Sequence, residues 1–333
     1  MVFRSKSVAM RGDRRLAVIL ALTLLAGCSK PVPRTEETGT GNTVKAAWSV
    51  PDITVLADDA HGQMVRRGHD LIAQTSALLG PEVADPARRF AGNNLNCQSC
   101  HLDAGTRQFA LPLVGVVEDF PKYRARSGKV NTIEDRINGC LMRSMNGRSL
   151  PSGDADMAAM VSYLTFLSSG RKAGEEVEGR GLPRIPELSR AANPVRGKVV
   201  YLANCVACHG NDGRGKRAGT IGDAKGYAYP PLWGPDSYNN GAGMARLITA
   251  ANFVHANMPL GANWQATALS DADAWDVAAY INSQPRPQMA GLDKDYPKRT
   301  EKPVDAGYGP WADNFPAEQH RLGPFALMRK NQP

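Results

Sequence analysis

No apolar run in this chain of 333 residues reaches the ~18–20 residues that a membrane-crossing helix requires. The alternating β-branched runs expected of a sandwich or barrel are also missing. Cysteine is sparse, with six residues at 28, 97, 100, 140, 205 and 208, and their spacing does not describe a disulfide scaffold. What is present suits two domains of ordinary size, since 42% of the residues are hydrophobic. Glycine (33) and proline (23) exceed their usual combined ~12%, which predicts short elements joined by many turns. A formal charge of +8 raises nucleic acid or an anionic membrane as partners. Much of that charge belongs to the N-terminus.

Arg4, Lys6, Arg11, Arg14 and Arg15 precede an apolar stretch from Leu16 to Ala26, with Asp13 the one acid. A basic segment followed by an apolar one of this length reads as a secretory signal, residues 1–27. Its end, Leu25-Ala26-Gly27-Cys28, resembles a bacterial lipoprotein box with Cys28 as the lipidated residue, and Ser29 after it favours the outer membrane. Cleavage removes five bases and one acid, so the net charge falls from +8 to +4. Nucleic acid is not expected as a partner of an exported protein. Residues 28–52 are polar and read as a flexible tether.

Cys97-Gln-Ser-Cys100-His101 and Cys205-Val-Ala-Cys208-His209 both read C-x-x-C-H. Two thiols at this spacing can add to two haem vinyl groups, and the adjacent imidazole reaches the iron. A lone C-x-x-C also fits a zinc half-site or a redox pair, but here both copies carry the histidine. Two covalently bound haems c are therefore expected. The motifs lie in an internal repeat. Val65–Ile72 and Val195–Leu202 share an Arg-Gly pattern upstream, with some twenty extra residues before Cys97. Downstream, 154–164 aligns with 271–281, each rich in aspartate at its start and carrying Tyr163 or Tyr280. A helix, a haem motif, a loop and a second helix resemble class I cytochrome c. The fold class expected is mainly α, with cytochrome c-like domains at 53–172 and 193–290 and a linker at 173–192. A Pro-rich tail at 291–333 is expected to be extended, without a clear helix.

The distal ligands carry the functional argument. In the second domain Met258 precedes Pro259 after a helical stretch from Met244 to Ala256, and a thioether there favours a relatively high potential. His255 is the competing candidate. In the first domain the equivalent count falls on Leu141, between Cys140 and Met142, and spacing alone does not choose. Thr132 and Asp135 form a capping box for a helix closed by Gly147. On it Arg136, Cys140 and Ser144 fall on one face at i, i+4 and i+8. A guanidinium one turn from a thiol favours the thiolate. The alternatives are a buried inert cysteine or an ordinary Met142 ligand.

The segment Asp135-Arg-Ile-Asn-Gly-Cys140-Leu-Met-Arg-Ser144-Met-Asn-Gly147 resembles the diagnostic stretch of the tetrathionate-forming thiosulfate dehydrogenases, dihaem cytochromes c. The similarity runs over about 55–330, including Pro230-Pro-Leu-Trp233 and the tail from Asp293 to Phe325. It implies His101 and Cys140 as ligands of the first haem, with Cys140 catalytic. It further implies Arg126, Arg136 and Ser144 as substrate residues, and His209 with Met258 on the second haem. Some members carry a lysine before that methionine and switch ligands. Asn257 stands here instead, so constant His/Met ligation is expected.

Seven bases between 122 and 148 (Lys122, Arg124, Arg126, Lys129, Arg136, Arg143, Arg148) face only Glu134 and Asp135, which suits a small dianion. Lys122, Lys129 and Arg148 read as solvated surface. The reaction expected is the coupling of two thiosulfates into tetrathionate, with electrons passed to a cytochrome c or similar acceptor in the periplasm. The rival readings are a tetrathionate reductase on the same scaffold, a non-catalytic electron carrier, and a cytochrome loading thiosulfate onto a sulfur-carrier protein.

Overall fold

A computed structural model describes residues 46–330, so the signal, Cys28 and most of the tether lie outside the described residues. The described residues cluster as one compact unit. Two helix pairs organise it, and each pair owes its geometry to one glycine.

The first pair is α1 (Ala60–Ala73) and α5 (Ala155–Leu167), with the short α2 (Thr75–Leu79), the turn α3 (Leu102–Gly105) and α4 (Ile133–Arg143) between them in sequence. Helix α1 lies across α5 at Gly68, where a Cβ would stand 2.0 Å from the Ala159 carbonyl oxygen and 2.7 Å from Tyr163 Cβ. Nothing larger than glycine permits this crossing. Val65, Leu71, Ile72, Met157, Met160, Tyr163, Leu164 and Leu167 fill the core beneath it. Each such side chain contributes roughly 1.5–3 kcal/mol on burial.

The second domain repeats the device. Helices α6 (Pro194–Asn204), α7 (Val206–His209) and α8 (Leu247–Asn257) lead to α9 (Asp271–Ser283). Gly197 sits 1.9 Å, measured from its hypothetical Cβ, from the Asp276 carbonyl oxygen and 2.9 Å from Tyr280 Cβ. The aligned pairs Ala159/Asp276 and Tyr163/Tyr280 thus occupy matching places. The Arg-Gly pattern has a second reason: Arg67 pairs with Asp156 at 2.9 Å, and Arg196 with Asp276 at 3.1 Å.

Strands are few among the described residues. The hairpin β1 (Lys122–Arg124) and β2 (Lys129–Asn131) pairs Arg124 with Lys129 and delivers the chain to α4. A second hairpin, β3 (Lys216–Arg217) and β4 (Tyr227–Tyr229), lies in the second domain. The Thr132 capping box forms, with Asp135 N–H to Thr132 Oγ1 at 3.3 Å and Thr132 N–H to Asp135 Oδ2 at 3.0 Å. Helix α4 stops at Arg143, earlier than Gly147, whose N–H instead turns back to the Leu141 carbonyl. Helix α8 begins at Leu247 rather than Met244, because Gly243–Ala245 forms a 3-10 turn.

The tail differs from the extended chain expected of it. It contains α10 (Ala317–Leu322) and α11 (Ala326–Lys330). Its prolines bracket these helices instead of preventing them: Pro316 stands just before α10, and Gly323, at φ +76°, with Pro324 ends it. Phe325 and Met328 are buried against Trp275 and its neighbours in the second domain. His320, without a role in the sequence reading, is buried, stacked on Trp311 and bonded to Val304 O and Asp313.

Candidate active site

The two C-x-x-C-H motifs meet the requirements of covalent haem attachment. All five cysteines among the described residues are free thiols. Both motif histidines present Nδ1 to a backbone carbonyl, His101 to Leu111 and His209 to Pro230 at 2.8 Å. That bond fixes each ring and leaves Nε2 free for a metal. Burial lowers the pKa of His209, against the pull of the Pro230 carbonyl, and so favours the neutral imidazole a metal needs. The residues fit two haems c, with Cys97, Cys100, Cys205 and Cys208 as attachment points.

Three of the motif thiols share one electrostatic character and Cys140 departs from it. Burial pushes Cys97 and Cys205 up to about 11 and Cys100 to about 12, or is the largest influence doing so. Burial acts on Cys140 too, but Arg136 and His101 outweigh it and hold this thiol at about 6. The Arg136 Nη1 donates to Cys140 Sγ at 2.8 Å, one helical turn away. Cys140 also meets the His101 imidazole. Met142 lies about 200° further round the α4 axis and does not share this face. Its carbonyl is instead taken by Asn239 Nδ2 at 2.9 Å.

The basic cluster divides into groups. Lys122, Lys129 and Arg148 are exposed, and Arg148 lies over the Phe90 ring. Arg143 is bound by both oxygens of Asp295, at 2.7 and 2.9 Å. Arg124, Arg126 and Arg136 remain half-buried; Arg136 contacts Cys140, Arg124 feels the charges of Cys140 and Arg126, and none of the three forms an ion pair with a carboxylate among the described residues. Arg126 donates from Nε to Tyr296 Oη at 3.2 Å and from Nη1 to the Gly241 carbonyl at 3.1 Å. Burial opposes its charge, but Tyr296, Tyr308 and Asp295 more than offset this and raise its pKa. Arg124 is held down by burial and then by the charges of Arg136 and Arg126, with Cys140 pulling the other way. Sequence reasoning had counted Arg124 as a base without giving it a role. The hairpin is what brings it beside Arg126, and three residues are too few for a strand signal.

Ser144 caps α4, its N–H bonded to the Cys140 carbonyl at 2.8 Å and its own carbonyl taken by Asn93 Nδ2 at 3.0 Å. Asn93 also reaches Ser237, and Asn239 N–H reaches the Arg143 carbonyl. A loop of the second domain therefore braces the end of the Cys140 helix.

Met258 caps α8 and packs against the cluster of Tyr201, Trp233, Val254, Leu269, Val277 and Ile281, with Cys205. His255 is turned to Asp271, 3.2 Å away, and not offered as a ligand. Asn257 is buried, its amide donating to Phe109 O at 3.1 Å and Phe253 O at 3.3 Å.

Residues 194–285 match the family described as cytochrome c, and residues 88–173 match the cytochrome c domain of SoxA/TsdA. A thiosulfate dehydrogenase of Allochromatium vinosum is 42% identical over 291 residues, 84% of this chain and 97% of that one. One from Stutzerimonas stutzeri is 39% identical over 255 residues, 76% of this chain and 78% of that one. Among solved structures, the as-isolated thiosulfate dehydrogenase TsdBA of Marichromatium purpuratum superposes with a TM-score of 0.65 at 36% identity, over 74% of this chain. This chain spans half the length of that TsdBA chain.

Proposed function

This chain belongs to the thiosulfate dehydrogenase family, and we propose that it couples two thiosulfates into tetrathionate at the Cys140 sulfur. The observation that carries this reading is the 2.8 Å contact from Arg136 to Cys140, inside a group of arginines without carboxylate partners. Arg124, Arg126 and Arg136 bring three positive charges, and the Cys140 thiolate cancels one. The surplus matches one thiosulfate dianion.

In the first half-reaction the Cys140 sulfur bonds to the sulfane sulfur of a thiosulfate, and two electrons leave. The cysteine then carries a singly charged thiosulfonate, so the surplus again matches one dianion. The second thiosulfate attacks the cysteine-bound sulfane sulfur, its own sulfane sulfur forming the new S–S bond. The bond to Cys140 breaks, tetrathionate departs, and the cysteine keeps the electron pair as thiolate. A covalent intermediate divides a difficult coupling into two steps. It also spares the site two dianions at once: even single charges ~4 Å apart repel by about 4 kcal/mol at an effective dielectric near 20. Arginine forks suit the sulfonate oxygens better than lysine would.

His101 and Cys140 would hold the first haem, and His209 and Met258 the second, without a change of ligand because the Asn257 amide is already engaged. Haem held at these residues would supply one-electron redox chemistry, by which the two electrons could reach a cytochrome c or similar acceptor. Export by residues 1–27, with lipid on Cys28 at the periplasmic face of the outer membrane, completes the reading. Among the described residues no helix is long and apolar enough to cross a membrane.

The test supplies the purified holoprotein with thiosulfate alone and an artificial one-electron acceptor, and quantifies tetrathionate. One tetrathionate per two acceptors reduced is expected, with none from Cys140→Ala. A plain electron carrier, or a protein that must load a sulfur carrier, forms no tetrathionate here.

A further inference from the structure

We infer that Tyr296, in the C-terminal tail, is a positioning residue of the anion site and acts through Arg126. The inference rests on the thiosulfate reading above.

Tyr296 grips Arg126 at both ends of the residue. Its backbone N–H donates to the Arg126 carbonyl at 2.8 Å, and its hydroxyl accepts from the Arg126 Nε at 3.2 Å. A guanidinium has five N–H donors in a fixed plane. The tail hydroxyl takes one and the Gly241 carbonyl takes another, at 3.1 Å. Three remain, and the plane in which they point is set. An unrestrained arginine would spread over many rotamers and spend part of its binding energy on ordering. Clamped at Nε and Nη1, Arg126 presents its remaining donors in one pose to a sulfonate.

Tyr296 is itself held more firmly than a packing residue requires. It is 5% exposed and has φ +56°, a left-handed conformation that a bulky side chain adopts only where its surroundings enforce it. Arg299 Nη1 donates to its carbonyl at 2.8 Å. Asp295, the residue before it, binds Arg143 through both oxygens and accepts from Tyr308 Oη at 2.6 Å. Arg143 lies three residues after Cys140 on α4. Asp295 and Tyr296 thus latch the tail to both flanks of the catalytic segment, some 150 residues upstream. If Tyr296 served only as packing, its ring would suffice and its hydroxyl would be dispensable.

The experiment compares the full-length holoprotein with Tyr296→Phe, Arg126→Lys and the double variant in steady-state thiosulfate oxidation. Phenylalanine keeps the ring and the backbone bond and removes only the hydroxyl. Tyr296→Phe is expected to raise KM for thiosulfate about five- to tenfold while kcat changes by less than about twofold. Haem spectra and melting temperature should match the unaltered protein. In the Arg126→Lys background, adding Tyr296→Phe should change KM by less than about twofold, because the two act as one unit. An unchanged KM in Tyr296→Phe would overturn the inference, as would a full further loss in the Arg126→Lys background. A fall in kcat together with melting temperature would reduce Tyr296 to a structural role. Absence of turnover in the unaltered protein would instead overturn the functional reading, and the inference with it.

Discussion

The two cytochrome domains share a scaffold and differ on one side of the haem motif. In both, a glycine lets an N-terminal helix press onto a carbonyl of the C-terminal helix, at Gly68 against Ala159 and at Gly197 against Asp276. In both, a backbone carbonyl holds the motif histidine by Nδ1. Beyond these features the likeness ends. The first domain places a cysteine at the end of an arginine-lined helix, whereas the second places a methionine in a cluster of tyrosine, tryptophan and aliphatic side chains. A thioether in apolar surroundings has no charge to use, so it suits electron relay. A thiolate beside guanidinium groups is nucleophilic and attracts anions. The same frame can thus hold chemistry in one copy and relay in the other.

The largest effect should come from replacing Cys140 and Met258 in turn. Cys140→Ala should lower thiosulfate turnover by at least about a thousandfold, the scale of losing a nucleophile. Met258→Ala should leave tetrathionate formation with an artificial acceptor within about tenfold of the unaltered protein. Equal losses in the two variants would erase the functional distinction between the domains.

Next come the arginines. Arg136→Gln should cost about a hundredfold in kcat/KM, and Arg124→Gln about tenfold, the latter mainly through KM. Raising the ionic strength should weaken thiosulfate binding in the unaltered protein and narrow the gap to Arg124→Gln, since partly exposed charges are screened. An Arg124→Gln variant with unchanged KM would remove that residue from the anion site.

Much of the frame could be read from residues alone. The C-x-x-C-H motifs, the Arg-Gly repeat and the Thr132 capping box are local patterns, and local patterns survive without tertiary information. Cys140 could be singled out because Arg136 lies one helical turn away. Spacing leaves Met142 open beside it and only the family resemblance favours Cys140; the contact of Cys140 with His101 is tertiary, and no spacing supplies it. Arg124 is not legible as a site residue because a hairpin of two three-residue strands positions it. Tyr296 was invisible because its partner is 170 residues away in sequence. The helices of the tail are not legible because each is at most six residues long, too short for a periodic pattern, with Pro316 and Pro324 outside the segments they flank.

The shared scaffold offers a milder test. Gly68→Ala and Gly197→Ala should each destabilise the holoprotein by about 1–3 kcal/mol, since the new Cβ meets backbone and not a flexible side chain. A lower melting temperature in both, by similar amounts, would confirm that the crossings are equivalent. The smallest effect concerns Asp276. Burial alone would raise its pKa, but Arg190, the Asn193 N–H and Arg196 outweigh this and hold the carboxyl below its ordinary value. A carboxylate depressed on folding contributes stability above its unfolded pKa, near ~3.9, and loses it as pH falls through the lower folded value. Asp276→Asn should therefore lose about 1 kcal/mol at neutral pH, and the gap to the unaltered protein should shrink on acidification. Thermal melts from pH 7 down to the onset of acid unfolding would read it.

Low-temperature EPR of the oxidised holoprotein tests the central claim most directly, because it reports the distal ligand of each haem separately. Two distinct low-spin signals are predicted, one of thiolate type that disappears in Cys140→Met and one of His/Met type that does not change. Two His/Met-type signals, both indifferent to Cys140→Met, would contradict it.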